Sequence, residues 1–162
     1  MDARTCILEL PGAMLQRGFW LYVWRVTTAE GEEMLYVGRT GDSSSHKAAP
    51  PYARMGQHLG HVKASNALRT HLEKRDVVPE SCPSYTMFAY GPMFQETANM
   101  DRHKKPRDIV AALEKKLADT LREAGYDVLN TVNSRMPLDN GRWRTVRDSF
   151  LEHFPNLGNI ET

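Results

Sequence analysis

The chain has 162 residues, 41% hydrophobic and 25% charged, a composition that suits one compact domain with its own core and excludes collagen-like and disordered chains. It carries no apolar run near the roughly 20 residues needed to cross a bilayer. Its first residues, MDARTCILELPGAM, lack the basic start and apolar stretch of a secretory signal, so a cytoplasmic protein with no membrane partner is expected. Its 21 Lys+Arg against 20 Asp+Glu give a formal charge of +1, a total that by itself argues against a nucleic-acid partner.

Residues 20–27, WLYVWRVT, alternate Trp20, Tyr22, Trp24 and Val26 with Leu21, Val23 and Arg25, which predicts a strand. The polar break TAEGEE and the apolar MLYVG after it predict a β-hairpin with its turn centred near residue 29, so that Tyr22 and Tyr36 stand opposite each other on one face. From Arg39 to Pro51 a serine run and a double proline predict an exposed loop. Helical spacing over 52–62 and 64–75 predicts two short helices. SYTMFAY predicts a third strand over 84–90, bounded by Pro83 and Gly91-Pro92, and 91–105 reads as a polar loop. The clearest helix starts at Pro106 and ends before Gly125, with Ile109, Leu113, Leu117 and Leu121 on a core stripe widened by Val110. After the short run YDVLN, the stretch VRDSFLEHF predicts a closing helix docked on the body. Cys6 and Cys82 are isolated, so neither a disulfide framework nor a structural zinc site is expected.

Individually, Tyr22 and Tyr36 are ordinary strand aromatics and Glu114 is a carboxylate beside Lys115 and Lys116. As an ordered set they say more. WLY (Trp20, Leu21, Tyr22), YVG (Tyr36, Val37, Gly38), Arg54 with His58 four residues on, Glu114 in ALEKKL and Asn130 in YDVLN are together similar to the GIY-YIG nuclease superfamily over about residues 18–134. Trp20 stands where the family usually has glycine, the loop before Arg54 is longer than usual, and Asn133 is an alternative to Asn130. The resemblance implies an α+β fold, a small three-stranded antiparallel sheet flanked by helices in the order β-β-α-α-β-α plus a C-terminal helix. The chain would be a single domain, 1–162, with a catalytic core over 18–134 and a C-terminal extension over 135–162. The resemblance also implies a divalent-metal-dependent endonuclease acting on DNA, in which one motif tyrosine activates water while the other orients the phosphate. Tyr22, Tyr36, Arg54, His58 and Glu114 form the candidate catalytic set, with Glu114 alone holding Mg²⁺ or Mn²⁺.

The chemistry places demands on these residues. Tyrosine titrates near 10, so a tyrosine base needs cations that lower its pKa, and Arg39 and Arg54 are the ones at hand. Arg39, Lys104, Lys105 and Asn130 are candidates for the substrate side, and Asn130 could instead hold backbone beside the Glu114 helix. His46, His61, His71, His103 and His153 read as structural or surface residues. Two other readings stand beside the enzyme: a catalytically silent nuclease-like module that binds nucleic acid or a partner protein, and an interaction domain in which the tyrosines are simply core. Target choice would come from the 39–53 loop, a homodimer or a partner protein, and the size suits a restriction, defence or mobile-element nuclease. The near-neutral total conceals windows of net +5 over 39–75 (seven basic, two acidic), +4 over 102–116 (six and two) and +3 over 135–147 (four and one). These windows are expected to converge on the face bearing Tyr22 and Tyr36, where a local basic field would attract phosphate.

Overall fold

In the computed structural model, which describes residues 3–42 and 45–160, β1 (Phe19–Thr27) is the middle strand of a three-stranded antiparallel sheet of order β2-β1-β3, with β2 (Glu33–Arg39) and β3 (Ser84–Phe94) as its neighbours. Because β1 is central, both of its faces must be covered, and its apolar side chains sort by parity. Leu21 and Val23 pack with Leu35 and Val37 under α3 (Met100–Glu123) and α4 (Asn140–Leu151). Tyr22, Trp24 and Val26 pack with Met34 and Tyr36 against Leu68 and Leu72 of α2 (Ala67–Glu73), with Met55 and Leu59 of α1 (Pro51–Leu59) alongside. The result is an α+β sandwich with one helix pair on each side of the sheet.

The hairpin differs from the sequence expectation by two residues in register. A five-residue turn over 28–32 closes through Thr28 N–H to Glu32 O at 2.9 Å and Gly31 N–H to Thr28 O at 3.0 Å. Tyr22 therefore faces Gly38, and Tyr36 faces Trp24. Parity is preserved, so both tyrosines stay on one face as diagonal neighbours.

Three boundaries also move. β3 continues to Phe94 through a cis Gly91-Pro92, and the extra residues are absorbed by an irregularity between Phe19 and Leu21 in the pairing with β1. α3 starts at Met100 because the Asn99 side chain accepts a bond from Arg102 N–H, and Pro106 lies inside the helix, which forgoes one backbone bond there. The last part of the expected polar loop, 100–105, is thus the first turns of that helix. The segment after Gly38 is less exposed than expected, for Thr40, Gly41 and Ala48 are buried and the double proline opens α1 at Pro51. Trp143, Val146, Phe150, Phe154 and Leu157 of the 135–162 extension belong to the main core, so the extension closes one sheet face and is no appendage.

Candidate active site

Position 38 organises the site. A Cβ there would lie 2.4 Å from Tyr22 Cε2 and 2.6 Å from Tyr22 Oη, so the phenol occupies the space over this residue and only glycine leaves room for it. Tyr22 Oη lies 2.7 Å from His58 Nε2 and 3.4 Å from the carbonyl oxygen of Arg39. The His58 ring is 5.0 Å from the Tyr36 ring, whose other neighbour is His71 at 5.8 Å. One turn before His58 on α1 is Arg54, which donates to Gln57 Oε1 at 3.1 Å and pairs with Asp42. Its spacing from His58 is what brings both α1 residues to the sheet.

Glu114 arrives from the other helix layer. Arg39 joins the two sides, its carbonyl turned to Tyr22 Oη and its guanidinium Nε held by Glu114 Oε2 at 2.8 Å. Both side chains of that pair are largely buried, 16% and 14% exposed, so their charges are poorly screened. Burial pushes the Glu114 carboxyl from its ordinary 4.5 up to about 7, against the pull of Arg39. The Glu114 charge in turn raises both tyrosines, so it is within electrostatic reach of each.

Arg39 and Arg54 do not lower the tyrosines as the sequence reading requires. Burial pushes Tyr22 well above its ordinary value and Tyr36 to about 12, outweighing Arg54. His58 moves the other way, to about 4, first through burial and then through the Arg54 charge. At neutral pH this is a neutral imidazole beside a protonated phenol. With its hydrogen on Nδ1, which is buried without a partner, Nε2 accepts from Tyr22 Oη. The acceptor beside the phenol is His58 Nε2.

The structure brings Tyr22, Tyr36, Arg54, His58, Arg39 and Glu114 together and leaves others elsewhere. Both ends of the Asn130 amide are taken by the Val37 backbone, Oδ1 accepting from N–H at 3.0 Å and Nδ2 donating to O at 2.8 Å. Arg122 of α3 donates to the Asn130 carbonyl at 2.9 Å. Asn130 therefore ties β2 to α3 with its amide buried against the strand, while Asn133 is exposed. Lys104 and Lys105 are exposed on the first turns of α3, and Lys104 lies 3.4 Å from Asp101. The basic windows do not converge: 39–75 covers the tyrosine face, whereas 135–147 lies on α4 and its approach, against the opposite face of the sheet.

Sequence reasoning overlooks Asp42 and the glycine that places it. Asp42 neutralises Arg54, and its charge acts on Tyr22, Tyr36, His58 and Glu114. It is placed by Gly41, whose φ of +77° and lack of a Cβ let the chain pass the Phe19 ring, and whose carbonyl meets Nε2 of the fully buried His103 at 2.9 Å. In the sequence GDSSS reads only as turn chemistry, so nothing there marks Asp42 as part of a site. Among the described residues no three His, Cys, Asp or Glu side chains gather as a metal cage. A single carboxylate with no soft ligand fits a hard cation such as Mg²⁺ or Mn²⁺, which completes its shell with water and phosphate oxygens, and does not fit structural zinc.

The chain matches no known family, characterised protein or solved structure in comparisons with each.

Proposed function

We propose that this protein is a divalent-metal-dependent endonuclease that hydrolyses DNA phosphodiester bonds. The observation that carries the reading is the 2.7 Å contact between Tyr22 Oη and His58 Nε2, with the Tyr36 ring packed on His58 and the charges of Arg54 and Glu114 acting on both tyrosines. A site of core aromatics alone would have no reason to gather these charges.

In this reading water loses its proton to Tyr22 Oη as the phenol passes its own proton to His58 Nε2, so no free phenolate is required. The lowered pKa of His58 keeps its imidazole neutral and open to the proton but also makes it a weak base, so the transfer relies on negative charge beside the imidazolium, from Asp42 and the bound phosphate. Tyr36 and Arg54 orient the phosphate, Arg54 by donating to its oxygens in place of Asp42. Glu114 holds the Mg²⁺ or Mn²⁺ ion, which when bound supplies positive charge for the phosphoryl and leaving oxygens. Arg39 fixes the carboxylate, and Asn130 fixes the strand that carries Tyr36 and Gly38.

One pairing pattern favours a second reading, a catalytically silent module that binds nucleic acid or a partner protein: Arg39 and Arg54 are both neutralised by acids in the free chain. Plasmid nicking separates the two. With Mg²⁺ or Mn²⁺ the parent is expected to nick supercoiled DNA, and Glu114→Ala and Tyr22→Phe are each expected to lose at least about 10²-fold. A Glu114→Ala variant that nicks at the parent rate sinks the mechanism, and a salt-dependent band shift without nicking by the parent supports the silent module. One carboxylate site makes one cut, so a double-strand break would need a homodimer or two successive nicks, in keeping with a restriction, defence or mobile-element role.

A further inference from the structure

The 135–147 window leaves its charge on the α3–α4 side of the sheet, and there it lines a groove. One hollow of about 420 Å³ is bounded by Lys116 of α3 and by Leu138, Asn140, Trp143 and Arg144. A second, of about 270 Å³, shares Lys116 and Leu138 with it and continues past Arg135 and Met136. Trp143 is 3% exposed and forms an apolar floor, and the Lys116 ammonium stands 5.8 Å from its ring centroid.

Most cations of this groove stand clear of acids. Elsewhere Arg17, Arg39, Arg54, Arg69 and Arg75 each have an acid within ion-pair distance. The one acid lining either hollow is Asp119, and it is already shared by Lys115 and Arg122. Among the described residues Lys116, Arg135 and Arg144 form no ion pair. Three unpaired cations strung along an open groove present sites for successive anionic groups, where a single phosphate pocket would draw its donors onto one point.

We propose that this groove is a second nucleic-acid contact, separate from the tyrosine site, in which Lys116, Arg135 and Arg144 meet backbone phosphates; the proposal rests on the nuclease reading. Lys116 follows Glu114 by two residues, roughly 200° around the helix, so the groove lies on the far side of α3 from the carboxylate. DNA engaged at the tyrosine site reaches it only by passing α3. Its contribution is therefore to hold the substrate, and it falls on KM.

The test uses the full chain with Lys116→Glu/Arg144→Glu, and with the milder Lys116→Gln/Arg144→Gln should the reversed form fail to fold by circular dichroism. The expected result is a DNA Kd at least tenfold weaker, with a slope of log K against log[salt] shallower by about 1.8, or about 0.9 for each phosphate no longer neutralised. KM should rise with it while kcat at saturating DNA stays within twofold, and Lys116→Arg/Arg144→Lys should bind as the parent does. An unchanged Kd and slope in a parent that cuts DNA overturns the groove and leaves the nuclease reading intact. A fall in kcat at constant KM overturns it too, since the cations would then act through α3 on Glu114. Saturable binding of free ATP that disappears in the variant while DNA binding is kept assigns the groove to a mononucleotide instead. A parent that neither binds nor cuts DNA removes both the groove and the nuclease reading.

Discussion

At Glu114 the fold keeps a carboxyl in a setting that favours its neutral form, and the proposed chemistry needs its charged form. Its pKa of about 7 follows from burial, which outweighs the Arg39 guanidinium. Cleavage should therefore rise with pH through about 7 and fall roughly fivefold between pH 7 and pH 6, as the ionised fraction does. Cation and proton compete for the same carboxylate, so raising Mg²⁺ should move this acid limb to lower pH. A rate profile that is flat from pH 6 to 8 at low Mg²⁺ would remove Glu114 from the metal site. Asp42 makes the complementary prediction, since it occupies Arg54 in the free chain. Asp42→Asn keeps an acceptor for Arg54 and removes the competing charge, so DNA should bind about fivefold tighter, or roughly 1 kcal/mol, with a salt slope steeper by about 0.9 for the one further phosphate neutralised. Weaker binding by Asp42→Asn would show that the carboxylate positions Arg54 and does not compete with phosphate.

At the scale of elements, β1 and β2 are readable because their chemistry is local: alternation sets the strands, and parity alone puts Tyr22 and Tyr36 on one face. Register is not readable, since it depends on how Thr28 and Gly31 close a five-residue turn. The Leu113, Leu117 and Leu121 stripe reveals α3 but not its start, because Pro106 is a strong local signal and the Asn99 cap lies in a polar run that looks like loop. Arg54, His58 and Glu114 stand out only as an ordered set of residue types. Asp42 has no such set to belong to, and it reaches the site through contacts distant in sequence, Gly41 to Phe19 and to His103. The two-residue shift is what makes Gly38 the partner of Tyr22. Gly38→Ala should displace the phenol from His58 and cut nicking by about 10² or more, with the fold still cooperative by thermal melting. Unchanged nicking by Gly38→Ala would mean that the Tyr22–His58 contact is not used.

Across the whole molecule, two buried titrating groups set opposing pH dependences. Glu114 titrates near 7 in the fold against an ordinary 4.5. Between those values the folded chain binds the extra proton, so this group makes stability fall as pH rises from about 4.5 to 7. His58 titrates near 4 in the fold against an ordinary 6.5. There the unfolded chain binds the proton, so stability rises with pH from about 4 to 6.5. Each contribution is worth about 3 kcal/mol, or on the order of 10 °C in Tm for a chain of this size, and over the shared window they largely cancel. Thermal melts from pH 4 to 8 would separate them. Glu114→Gln removes the falling limb and should leave a Tm that climbs between pH 4 and 6.5, while His58→Gln removes the rising limb and should leave a Tm that falls between pH 4.5 and 7. The two variants should therefore show slopes of opposite sign across the window, whatever each costs in absolute stability. Parallel curves for the parent and both variants would mean that neither group carries its shift.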